Sequence, residues 1–187
     1  MMRLLLHAGY LGSLLPSTVS FERALGRPEV VQRSKLRALL RAQEGTAFGR
    51  EHGFARIDDV AAFQRRVPVR DYAEHAPYVD RIARGEANVL TAEPVRMLER
   101  TSGSTSGDKW IPFTTGLLGE LSAATSPWIA SVHRRHPGLL GTTSYWSVSP
   151  AAREPERTEG GLHVGFEDDS EYFGPITRWA LSRMFAV

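Results

Sequence analysis

Thr101-Ser102-Gly103-Ser104-Thr105-Ser106-Gly107-Asp108-Lys109 lies between two short β-prone runs, Val95 to Leu98 and Lys109 to Phe113. Two glycines let the backbone turn tightly and expose successive N–H groups, and the Ser and Thr hydroxyls add donors around an anion. Lys109, at the end of the segment, supplies a full positive charge. These are the parts needed to hold a polyphosphate. Composition alone also allows a flexible Ser/Gly linker, although the Lys-Trp-Ile-Pro-Phe run that follows at once is unlike a linker.

Working outward, the residues before the loop read as helical. Pro28 and Glu29 suit a helix first turn, and Val31, Ala38, Leu39 and Ala42 form a stripe that Gly45 ends. Asp58 restarts the pattern with Val60, Phe63 and Val67 until Pro68, and Asp71-Tyr72-Ala73-Glu74 resembles a capping box. Pro77 is expected to open a further short helix carrying Tyr78 and Ile82, closed by Gly85. After Pro94 the character changes, with β-prone runs at 95–98, 109–113, 144–148 and 162–166. A helical face formed by Leu117, Leu121, Ala124, Trp128 and Val132 lies between the second and third runs, and Pro127 is expected to kink or split it. Residues 149–161 read as a surface loop. The fold class is therefore α/β, with a mainly helical lead-in over 1–90 and an α/β part over 91–187.

The chain has 187 residues and a net charge of +2, nearly all of its cations being arginine. This charge balance lacks the basic stripe expected of a nucleic-acid binder. There is no cysteine, which removes disulfides, thiolate nucleophiles and cysteine-based zinc sites, and is compatible with a reducing compartment. The apolar start through Pro16 is interrupted by Gly9, Tyr10, Gly12 and Ser13 and shows no clear cleavage site, so a cytoplasmic chain is expected rather than an exported one. No stretch reads as long enough to span a membrane.

The loop is not a Walker A motif. Three residues separate Gly103 from Gly107, Asp108 precedes Lys109, and Trp110 stands where Ser or Thr belongs. Gly-x-Ser-x-Gly is absent, so there is no nucleophile elbow.

Leu98 through Lys109 resembles the phosphate-binding signature of the adenylate-forming superfamily, with Thr101, Ser102, Gly103, Ser104, Thr105, Ser106 and Lys109 all fitting it. Asp108 departs from the general pattern. Together with the following Trp110-Ile111-Pro112-Phe113-Thr114, it resembles the Gretchen Hagen 3 (auxin-responsive promoter) branch of acyl acid amido synthetases. Phe21 to Ala24, Thr46 to Phe54, Val67 to Tyr72, Pro77 to Glu86 and Leu90-Thr91 resemble the same branch, so the likeness runs along essentially the whole chain.

The resemblance implies a large α/β domain followed by a small mobile C-terminal domain. It also implies an ATP- and magnesium-dependent joining of a small carboxylic acid to an amino acid through an acyl adenylate. By carry-over, Ser102 to Gly107 would wrap the β and γ phosphates, Ser104 and Thr105 would donate from their hydroxyls, and Lys109 would stand beside the loop. The magnesium glutamate, the adenine pocket, the ribose aspartate and the C-terminal domain of the family are not identified in these residues. The expectation is therefore a partial N-terminal large domain, inactive by itself and prone to self-association through uncovered surfaces, with no nucleic-acid or membrane partner. An acyl-CoA ligase, sharing the first half-reaction, and a non-catalytic nucleotide- or partner-binding remnant are the alternatives.

Other features carry plainer readings. His133 and His136 flank two arginines at a helix end, where cations favour the dipole, and are read as structural rather than as metal ligands. Glu167 to Glu171 reads as a solvated acidic loop, and Tyr145 and Trp146 as core. The apolar run through Trp179, Leu181, Met184 and Phe185 is expected to be helical.

Overall fold

The computed structural model describes residues 2–101, 109–145, 156–165 and 185–186. The chain forms two compact units, one made of residues 27–116 and 153–166 and the other of 1–26, 117–152 and 167–187.

The first unit opens with α2 (Pro28–Gln43), which follows α1 (Met2–Leu25) of the other unit. Proline at its first turn and Glu29 beside the positive dipole end start α2 where the sequence pattern places it. α3 (Ala47–Glu51) is capped by Thr46, whose hydroxyl accepts from Gly49 N at 2.9 Å. A Cβ on Gly49 would overlap the Gln43 carbonyl, so this tight entry requires glycine. α4 (Val60–Arg66) is capped by Asp59, which accepts from Ala62 N at 2.6 Å. Leu40, Ile57 and Ala62 form the core of this helical region, with Leu36, Phe54, Phe63 and Val67 packed around them.

α5 (Tyr72–Ala83) begins at a reciprocal capping box between Asp71 and Glu74 and continues through Pro77. The expected new helix at Pro77 is corrected: the capping box has already nucleated the helix, and proline is accommodated within it.

Five-residue strands β1 (Met97–Thr101) and β2 (Lys109–Phe113) pair antiparallel, while β4 (Glu156–Arg157) and β5 (His163–Val164) complete a four-stranded sheet in the order β2-β1-β5-β4. β1 is central and pairs in parallel with β5; β2 is at the edge, where Pro112 is tolerated because its missing N–H breaks no inner ladder. Ile82, Ala83, Val89 and the fully buried Leu98 form the core beneath the sheet, joined by Tyr78, Leu90, Val95, Trp110 and Leu162. Two expectations shift here. The first strand starts at Met97 rather than Val95, and the segment read as a loop over 149–161 contains β4, which forms a hairpin with β5.

In the second unit α1 runs for 24 residues and includes Gly9, Gly12, Ser13 and Pro16. His7, Leu14 and Thr18, spaced seven and four residues apart, are its buried stripe. Residues 3–25 are long and apolar enough to cross a membrane by length and composition alone, which corrects the reading that no stretch reaches that length. The interrupting small residues stay inside the helix instead of ending it. Only 17% of its apolar window is buried, and an N-terminal signal or a core helix meets the same criterion.

α6 (Thr115–Arg135) runs unbroken through Pro127, so of the kink or split expected there the split does not occur. The Thr125 and Ser126 hydroxyls donate to the Leu121 and Ser122 carbonyls, supplying local partners just before the proline. β3 (Ser144–Tyr145) pairs in parallel with β6 (Phe185–Ala186), so residues 185 and 186 are strand rather than helix. Residues 146–148, 166–171 and 179–184, which include Trp146 and the acidic run, lie outside the described residues, as does the side chain of Tyr145.

Candidate phosphate-binding site

β1 and β2 bring the two ends of the Ser/Thr/Gly segment together. The register runs from Met97 opposite Phe113 to Thr101 opposite Lys109, so residues 102–108 connect two adjacent antiparallel strands. The inner end of the hairpin is buried through Met97, Leu98 and Phe113, whereas Thr101 is exposed and Lys109 half-buried. A buried base whose strands become more exposed toward Thr101 and Lys109 suits a site that must be rigid and reachable. Of the predicted binding residues, Thr101 and Lys109 stand directly opposite each other; Ser102, Gly103, Ser104, Thr105, Ser106 and Gly107 lie outside the described residues.

The neighbouring strand fixes β1 from the other side. Gly165 N donates to Leu98 O at 2.8 Å, and Leu98 pairs with Val164. Arg100 forms an ion pair with Glu156 and places its guanidinium 6.0 Å from the Trp110 ring centroid. The arginine therefore ties β4 and β2 to the central strand by charge and by cation–π attraction.

Among the described residues β2 has no strand on its outer side, and α5 takes that place. Trp110 N donates to the Tyr72 hydroxyl at 2.8 Å, and the same hydroxyl donates to Trp110 O over a longer 3.4 Å. The Lys109 ammonium stands 5.9 Å from the Tyr72 ring centroid. Tyr72 is itself the first residue of α5, immediately after the Asp71 cap, whose carboxylate accepts from Glu74 N at 3.2 Å while Glu74 returns the bond to Asp71 N at 3.1 Å.

Further along α5, the Tyr78 hydroxyl donates to Glu51 Oε2, and Arg70 reaches Tyr78 at 3.3 Å and Glu51 at 3.4 Å. The Tyr78 hydrogen bond holds the Glu51 carboxyl below its usual range against the opposing effect of burial, helped by the neighbouring His52 and Arg70. Phe48 packs edge-on to His52, Phe54 and Tyr78, closing an aromatic cluster around this network. α5 is thus fixed at its start and along its length, so Tyr72 is presented from a stiff element.

Sequence reading places Tyr72 in a family-like segment but gives it no role. Its partner is 38 residues away, a separation that no local spacing reveals. Among the described residues, no group of three or more His, Asp or Glu side chains is arranged to hold a metal ion. His133 Nδ1 lies 3.0 Å from the Ile129 carbonyl, and its ring is edge-on to His7.

The family described as GH3 family N-terminal domain matches residues 18–173. A jasmonoyl-L-amino acid synthetase, GH3.3, from Oryza sativa subsp. japonica is 36% identical over 144 residues, covering 76% of this chain and 30% of its own length. A probable indole-3-acetic acid-amido synthetase, GH3.12, from the same organism is 41% identical over 90 residues, which is 48% of this chain and 15% of that protein. Among solved structures, GH3.15 acyl acid amido synthetase superposes with a TM-score of 0.66 at 26% identity, over 79% of this chain and 26% of its own. The chain therefore spans less than a third of the length of these relatives. With the matched region covering most of its residues, this chain belongs to the GH3 family.

Proposed function

We propose that this chain carries the polyphosphate-holding portion of an ATP-dependent acyl acid amido synthetase, a cytoplasmic enzyme joining a small carboxylic acid to an amino acid. The observation that carries the proposal is the hairpin register, which sets Thr101 opposite Lys109 at the ends of a segment rich in Ser, Thr and Gly. In such a reaction the acid's carboxylate attacks the α-phosphate of ATP and pyrophosphate leaves as an acyl adenylate forms. Preorganised donors and positive charge then stabilise the charge that moves onto the leaving group.

This chain's residues would divide that task. The backbone amides around Gly103 and Gly107 and the hydroxyls of Ser102, Ser104 and Thr105 supply donors, while Lys109 supplies charge. Donors in this number, beside a cation and at the exposed end of a buried hairpin, fit the phosphates of ATP. Magnesium is different: among the described residues no group of three or more His, Asp or Glu side chains is arranged to hold it. The named activities of the relatives favour amide formation over thioester formation.

The test is product analysis on a protein carrying this chain at the full length of its relatives, supplied with ATP, a panel of carboxylic acids, amino acids and coenzyme A. The expected result is AMP, pyrophosphate and an N-acyl amino acid. A coenzyme A thioester in place of the amide, or no acid-dependent release of pyrophosphate across the panel, would overturn the proposal.

A further inference from the structure

We infer that Tyr72 is the positioning residue for Lys109, setting where its ammonium stands at the start of β2, opposite Thr101. The inference rests on the phosphate-binding reading of residues 101–109 and extends it to a residue on another element.

Three observations converge on this side chain. Its hydroxyl takes both backbone polar groups of Trp110, accepting from the N–H at 2.8 Å and donating to the carbonyl at 3.4 Å. A single hydroxyl thereby does at the sheet edge what another strand would do, and it fixes the backbone one residue after Lys109. The Tyr72 ring lies under the Lys109 ammonium at 5.9 Å, where the negative face of the aromatic attracts a cation. Finally, Tyr72 opens α5 directly behind a complete capping box, and α5 is fastened further along through Tyr78 and Glu51. The base of the lysine and its charged end are thus held from the same rigid residue.

A lysine on a free four-carbon stem samples many rotamers, and each one away from the phosphates reduces the fraction of time the charge is in place. Ring and hydroxyl narrow that distribution before any ligand arrives. The cation–π contact is weak enough to be exchanged for a phosphate contact, so Tyr72 orients the lysine without sequestering it.

The experiment is calorimetric titration of the 187-residue chain with inorganic tripolyphosphate, for the wild type, Lys109→Ala, Tyr72→Phe, Tyr72→Leu and the double variants of each tyrosine change with Lys109→Ala. Tyr72→Phe, which keeps the ring and loses both hydrogen bonds to Trp110, is expected to weaken binding on the order of fivefold. Tyr72→Leu is expected to weaken it further, because the cation–π contact goes as well. Each double variant should bind no more weakly than Lys109→Ala alone, because Tyr72 acts through the lysine. Tyr72→Phe carries the test if the leucine variant fails to fold. Tyr72 variants that bind like the wild type while Lys109→Ala is weakened would overturn the inference and leave the loop reading standing. So would losses that simply add in the double variants. A wild type that takes up no tripolyphosphate, or a Lys109→Ala chain that binds equally well, would remove the loop reading and this inference with it.

Discussion

Gly160 packs against Gly85 with no room for a side chain: a Cβ on Gly160 would overlap the Gly85 nitrogen and the Arg84 carbonyl carbon, and Gly160 N donates to Ala83 O at 2.8 Å. Gly85 has a φ of +91°, in the region that favours glycine. This contact seats the turn between β4 and β5 on the C-terminal end of α5. Gly160→Ala is therefore expected to destabilise the unit by about 1–3 kcal/mol, as overpacking does, with a lower urea midpoint and an unchanged slope. A midpoint equal to that of the wild type would contradict this packing.

A second outcome concerns pH. His7 is buried, its Nδ1 accepts from Gly141 N at 3.0 Å, and its ring lies 5.9 Å edge-on to His133. Burial first, then the His133 ring, pushes its pKa below the usual 6.5. Between the folded value and 6.5 the unfolded chain binds more protons, so stability rises with pH across that window and is lost as pH falls through it. Protonation also removes the acceptor that Gly141 uses. Thermal midpoints should thus fall on acidification below about pH 6.5, and His7→Gln, which can accept from Gly141 without titrating, should flatten that dependence. Equal pH slopes for the two proteins would contradict the assignment.

Self-association is the third expectation. Beside the buried stripe of α1, Leu4, Leu5, Leu15 and Val19 form an apolar strip with exposures of 50%, 66%, 56% and 39%. An exposed strip of this kind favours association in water. Sedimentation of the purified chain should show mass increasing with concentration, and Leu5→Ser with Leu15→Ser should reduce that increase. Concentration-independent monomer for the wild type would count against it.

On the proposed reading, donors of the loop act on the leaving pyrophosphate. In a full-length protein carrying this chain, Thr105→Ala or Lys109→Ala is expected to lower acid-dependent pyrophosphate exchange by about 10²-fold. Gly103→Ala should do at least as much harm if the turn there needs a positive φ. Unchanged exchange in all three variants would remove the loop from the mechanism.

Much of this was legible in the sequence because it is encoded locally. Asp71 and Glu74 announce the start of α5 three residues apart, Pro28 and Glu29 announce α2, and the family-like run from Leu98 to Lys109 identifies the hairpin. The misreadings have two sources, prolines judged without their neighbours and pairings that distant contacts decide. Pro77 and Pro127 look like breaks when judged one residue at a time, yet a capped helix and hydroxyl back-bonding carry the chain through them. Glu156-Arg157 has the composition of a loop and becomes a strand because β5 and the Arg100 ion pair receive it. Phe185 belongs to an apolar run with a helical look and, with Ala186, becomes a strand by pairing with β3. Tyr72 stood in plain view, but only the tertiary fold brings it to Trp110 and Lys109.

The central claim is that residues 101–109 hold the phosphates, and amide-resolved NMR of the chain titrated in parallel with ATP, tripolyphosphate and adenosine tests it most directly. Saturable shifts of the amides from Thr101 to Lys109 are expected with ATP and tripolyphosphate and not with adenosine. Titration that leaves those amides unmoved while shifting residues elsewhere, or that moves them equally with adenosine, would contradict the account.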